Sequence, residues 1–181
     1  MKAITLTQPW ATLMALGEKH YETRGWPTNY RGDLAIHAAK GWTADDRDLC
    51  RDDDFALALT RGLGCGREEA IASVDAARGH VLAVVDLVGC HATDGYLAAL
   101  TDDGPRPAPL EANFGNYTAG RYAFATTNLR PLARPVPMRG MLSIYALPPE
   151  VEAEIAVQLA ETACSRARSG VGRWIGTHGG G

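Results

Sequence analysis

The stretch "GHVLAVVDLVGCHAT", Gly79 to Thr93, limits the fold more than any other. It is rich in β-branched residues and almost wholly apolar, without the alternation of a half-solvated strand. Such a run reads as a strand buried on both faces, so its sheet needs cover on each side. Partners for it are legible elsewhere. "MKAITLT" opens the chain as a short strand, "KHYETR" is strand-like, and "DLAIHAA" is a further strand. Residues 8–16 read as a short helix, with Thr7 as N-cap, Pro9 in the first turn and Gly17 as the stop. Its Trp10–Leu13–Met14 face is expected in the core. "RYAFATTNLRPLARPVPMRGMLSIYAL" gives two strands around a Pro-punctuated connector. A helix over 148–168 carries Val151, Ile155 and Leu159 on one face.

Between these elements the chain changes character twice. Residues 43–78 carry Ala, Leu and charge at helical spacing, with six Asp and two Arg between Asp45 and Asp54. That acidic run reads as a solvated helical face, because no turn glycine shapes it into a cation loop. Residues 93–119 are irregular. The expectation is one domain over 1–148 with a helical insertion at about 43–78 and a loop insertion at about 93–119. A C-terminal helix (149–168) and a disordered, glycine-rich tail (169–181) follow it. Several strands with an early helix suggest an α+β fold, a small barrel or curled sheet. No internal repeat is present.

Composition rules out several classes. The formal net charge is −3, so any surface for a polyanion must be local. Cys50, Cys65, Cys90 and Cys164 form no CxxC pair, a poor pattern for structural zinc. Without a signal peptide at the N-terminus, free thiols in a reducing cytoplasm are expected. No apolar run approaches the roughly 18 residues of a membrane span. No metal or cofactor is expected.

The chemistry concentrates in "GEKHYETRGW", Gly17 to Trp26. Read as a strand, it places Lys19, Tyr21 and Thr23 on one face and His20, Glu22 and Arg24 on the other. Lys19 offers a point charge on a flexible stem, and Arg24 a rigid fork for phosphate or a base edge. Glu22 can orient Arg24 or accept from a base amino group. Arg31 and Lys40 add positive charge, and Trp26 and Tyr30 could stack a base. Residues 1–41 hold five Lys/Arg against three acids, and 121–140 hold four Arg and no acid. Pairing of these two segments would make one basic patch. For Lys19 and Arg24 to meet one anion, the chain must turn near Gly17–His20, which Gly17 permits. His37 reads as a satisfied structural histidine.

The spacing Gly17-x-Lys19-x-x-Glu22-x-Arg24 after a first helix resembles the GxKxxExR hallmark of the ASCH domain family (activating-signal-cointegrator homology). "QPWA" before it, "RGDLAIHAAK" after it and "GRYAFATTNLRPLARPVPMRGMLSIYALP" near the other end agree in order, over about residues 3–148. The resemblance implies a PUA-like fold, a small β-barrel with helices packed at its side, and a cleft lined by the motif that faces nucleic acid or a nucleotide. It makes single-stranded RNA the first partner to consider, with DNA or a modified nucleoside as alternatives. The helical insertion offers a surface for a protein partner.

Some members of the family are enzymes. A metal-independent ribonuclease would use Lys19, Glu22 and Arg24. The amidohydrolase type, acting on an acetylated cytidine, has a threonine where this chain has Glu22, which argues against that chemistry. The preferred reading is a binding module. Its site comprises Gly17, Lys19, Glu22, Arg24, Trp26, Tyr30, Arg31 and Lys40.

Overall fold

A computed structural model describes residues 1–96, 100 and 104–171, with side chains as far as Ser165. The last helix continues through Val171, three residues into the tail expected to start at 169, and 172–181, with Arg173, lie outside the described residues. Six strands make one sheet: β1 (Lys2–Leu6), β2 (Tyr21–Arg24), β3 (Gly32–Ala38), β4 (His80–Thr93), β5 (Arg121–Pro137) and β6 (Ile144–Ala146). Their order is β2-β5-β4-β3-β1-β6. Only β1 and β3 run parallel; the other neighbours are antiparallel. Strands β4 and β5 form the long spine. Their pairing shifts register at three places, between Val81 and Ala83, Val84 and Asp86, and Leu87 and Gly89. Each shift adds local twist, and together they curl the sheet into a half-barrel. This is the mixed α+β, PUA-like architecture that the resemblance implies.

Among the described residues five α-helices flank the sheet: α1 (Trp10–Leu16), α2 (Ala44–Leu49), α3 (Asp53–Leu63), α4 (Arg67–Ala76) and α5 (Pro149–Val171). One sheet face packs Leu34, Ile36, Leu82, Val85 and Phe124 against Met14 of α1. The other packs Ala35, Val81, Val84 and Val136 against Val151 and Ile155 of α5. A third cluster joins Leu13 of α1 to Phe55 and Leu59 of α3 and Ile71 and Val74 of α4. The 43–78 insertion is therefore a further layer over α1, with its acidic residues outward.

Three local expectations need correction. β4 is buried on both faces only through residues 81–85; beyond them Val88 is 44% exposed. Thr7 does not cap α1, because Pro9 occupies the cap position. The buried Gln8 does so instead: its Oε1 accepts from Thr12 N (3.1 Å) and Oγ1 (3.0 Å), while its Nε2 donates to Val74 O of α4. The prolines after Leu129 do not split β5. They lie beyond the stretch Tyr122–Ala125 that pairs with β2, where no strand pairs that edge of β5 and Gln158 of the C-terminal helix bonds the Arg134 backbone, so a missing N–H costs little.

Candidate functional site

The motif begins where α1 stops. Gly17 takes the left-handed conformation (φ 75°), and the N–H groups of Gly17 and Glu18 close on Met14 O and Leu13 O. The reversal sends Glu18 outward to Arg61 of α3 and Lys19 inward. Lys19 is 1% exposed. Its ammonium donates to Tyr21 O and to Phe114 O, the latter at 2.8 Å. Two carboxylates flank it, Glu22 Oε2 at 3.8 Å and Glu111 Oε1 at 4.0 Å. Burial pushes the Lys19 pKa down, and the two carboxylates resist that shift.

Glu111 is the residue that sequence reasoning missed. It is fully buried at the start of a single 3-10 turn, Glu111–Phe114, inside the expected loop insertion. It accepts from His20 N (2.6 Å) and Tyr21 N (3.1 Å), so it satisfies the backbone where β2 begins. A lone acid in "LEANFGN" carries no periodic signal that would have singled it out.

Glu22 links this buried centre to an open one. Its Oε1 lies 3.1 Å from Arg24 Nε, and Arg24 Nη2 donates to Thr5 O at 2.8 Å. Four charges thus alternate in sign: Glu111, Lys19, Glu22, Arg24. The last two line a cavity of about 690 Å³ between the end of β1, the start of α1, β2 and the 3-10 turn. That volume suits a ligand of small-molecule size. One wall is aromatic: Trp10 meets Phe55 edge-on (5.9 Å, 88°), and Phe55 meets Phe114 (4.8 Å, 62°). Glu22, Arg24 and Arg121 also line the cavity, with Arg121 Nη2 donating to Thr23 O.

The expected site residues are not all together. Glu22 and Arg24 line the cavity, Gly17 supplies the turn, and Lys19 sits behind Glu22 rather than beside Arg24. The expected convergence of Lys19 and Arg24 on one anion is therefore not seen, because two carbonyls and two carboxylates occupy the ammonium. Trp26 packs edge-on against Phe124 (5.1 Å) on the core. Tyr30 donates to Asp33 O and lies under Lys2, and Arg31 donates to Thr28 O and Tyr30 O. None of these three lines the cavity; Lys40 lines a neighbouring hollow. Trp10, expected in the core, packs against two core clusters but is only partly buried and also lines the cavity, because it begins α1 at the sheet's end. His37 is buried and satisfied, with Thr5 Oγ1 on Nδ1 (3.2 Å) and Met138 O on Nε2 (3.1 Å).

No curated protein matches this sequence. Two solved structures are similar in outline. A mutant of ZmASCH from Zymomonas mobilis shares 16% identity, with a TM-score of 0.48 over 86% of this chain and 96% of that one. The ASCH protein of the same organism shares 14%, with a TM-score of 0.46 over 86% of this chain and 93% of that one. The ASCH domain family model matches residues 4–122, which include the Gly17–Arg24 motif and the buried Glu111. The chain belongs to the ASCH domain family.

Proposed function

We propose that the chain binds single-stranded nucleic acid, RNA foremost, by taking one nucleotide unit into the Trp10–Arg24 cavity. The observation that carries this reading is that one hollow is lined both by aromatic side chains and by an ion pair. The hollow is lined by Trp10, which packs on Phe55 in the core behind it, and by the Glu22–Arg24 ion pair. A nucleobase is flat and apolar on its faces and polar at its edge. The wall suits the face, the guanidinium suits acceptors on the edge, and Glu22 suits an amino group. Binding is favoured over cleavage because the Lys19 ammonium, the group a ribonuclease reading relies on, is buried and already engaged. Glu22, in place of the threonine of the amidohydrolase type, leaves that chemistry without its nucleophile.

The test is affinity for a short single-stranded RNA, with the RNA assayed in parallel for cleavage. Trp10→Ala should weaken binding by about 1–3 kcal/mol through loss of stacking, and the RNA should stay intact. Unchanged affinity would remove the cavity from the reading. Cleavage that disappears in Lys19→Met would move the reading to a ribonuclease.

A further inference from the structure

We propose that the hollow beside this cavity is a phosphate subsite, so that the ligand is an oligonucleotide rather than a free nucleoside. The inference rests on the base-cavity reading above and extends it along the strand. The second hollow measures about 980 Å³ and lies between the end of β3, the β-turn before β4 and residues 137–142. Thr5, Ala39, Met141 and Leu142 line both hollows, so the two are contiguous.

Their electrostatics differ. In the first cavity Arg24 is neutralised by Glu22, and Arg121 donates to the Asn116 and Thr23 carbonyls. The second is lined by Lys40, Arg78 and Arg139, and no carboxylate is among its described lining residues. Arg78 is held by Asp75 at 2.5 Å. Lys40 and Arg139 are exposed, and among the described residues neither meets a carboxylate. On a chain of net charge −3, two cations that meet no carboxylate among the described residues, in one concave surface that none of the described carboxylates lines, mark a place for an outside anion.

The ridge between the hollows is low. Residues 138–142 cross directly over the Thr5–His37 pair. A β-carbon on Gly140 would lie 2.6 Å from His37 Cε1 and 2.9 Å from Thr5 Oγ1, so only a bare backbone fits there. Met141 and Leu142, 50% and 93% exposed, stand beside that ridge, where they can pack on a ribose or base that crosses it. A base in the first cavity thus places the next phosphate toward Lys40 and Arg139. Phosphate recognition by two flexible cations carries no sequence information, so this subsite supplies affinity and direction rather than specificity.

The experiment compares a fluorescein-labelled single-stranded RNA of mixed sequence with a nucleoside lacking phosphate, against the full chain. The variants are Lys40→Ala/Arg139→Ala and Trp10→Ala. The double variant should lose roughly tenfold or more in RNA affinity and should flatten the log–log salt dependence by about 1.4, two phosphates at about 0.7 each. Its nucleoside affinity should stay within twofold of wild type. Neither side chain holds an ion pair, so its urea midpoint should not move. RNA affinity and salt slope unchanged in the double variant, with Trp10→Ala still impaired, would overturn the phosphate subsite and leave the base cavity standing. Wild-type RNA binding in both variants would remove the base cavity, and the subsite with it. An equal loss of nucleoside and RNA in the double variant would also overturn the inference.

Discussion

The Gly17–Arg24 stretch has a buried half and an open half, and the two use the same kinds of charge for different ends. Lys19 is 1% exposed and spends its donors on two backbone carbonyls. The Arg24 side chain is 26% exposed, and its Nη1 meets no partner among the described residues. A buried ammonium is costly unless every bond is made, so Lys19 is committed to the framework. A guanidinium at a cavity wall has donors to spare, so Arg24 is available to a ligand. The motif is thus half scaffold and, on the proposed reading, half site, with Glu22 touching both halves.

The sharpest way to break this division is Lys19→Met. It removes the charge that Glu111 and Glu22 face, and it leaves Tyr21 O and Phe114 O without their donor. An uncompensated buried carboxylate should cost about 3–5 kcal/mol of stability in urea unfolding. Adding Glu111→Gln to Lys19→Met should recover a good part of that loss, because the two residues share one network. A Lys19→Met protein as stable as wild type, but unable to bind RNA, would place the ammonium in the open half instead.

This division was only half legible in the sequence. The turn at Gly17, the Glu22–Arg24 pair and the three strands β1, β2 and β3 follow from spacing and from glycine's tolerance of positive φ. The burial of Lys19 does not, because it depends on Glu111 and Phe114, roughly ninety positions away in an irregular loop. Trp26 and Tyr30 looked like stacking platforms because turn-rich loops usually face solvent. Here the loop folds back, and Phe124 and Lys2 take up their faces. Trp10 looked like core because it lies on the apolar face of α1. Helical periodicity reports which face turns inward, but not that the helix begins at the rim of a hollow.

A smaller effect is expected from Arg24→Ala. Loss of its contacts to a base edge or phosphate should weaken RNA binding by about 1–3 kcal/mol. Its part-exposed ion pair should contribute less than about 1 kcal/mol to stability. Glu22→Gln sharpens the comparison further, because Glu22 belongs to both halves. Its effect on binding should vanish in the Arg24→Ala background, whereas its effect on unfolding should persist there through Lys19. If both effects vanish together, Glu22 serves Arg24 alone and the two halves are not linked through it.

The smallest effect concerns the wall behind the cavity, where committed and available groups again meet. Thr5 O accepts from Arg24, while Thr5 Oγ1 is shared by His37 Nδ1 and the Tyr145 hydroxyl (2.9 Å). His37 Nε2 must donate to Met138 O, since a carbonyl can only accept. Neutral His37 then accepts at Nδ1 from Thr5, which in turn accepts from Tyr145. Burial holds the His37 pKa below its usual 6.5; nearby His80 pushes the same way, and the Met138 carbonyl opposes. In the unfolded chain the ring takes up its proton near pH 6.5, before it does so in the folded protein. The contribution of neutral His37 is therefore fully present above that pH and is lost as pH falls from there toward the depressed folded value. Protonation would also put a donor on Nδ1, so the Thr5 hydroxyl would have to turn and accept from it. His37→Asn should lower the urea midpoint at pH 7.5 slightly and reduce the further drop between pH 7.5 and 5.5. The difference between the two proteins isolates this ring from the carboxylates that titrate in both. Parallel pH profiles would show that His37 titrates alike in the folded and unfolded chain, and that the Thr5 wall does not depend on its neutral form.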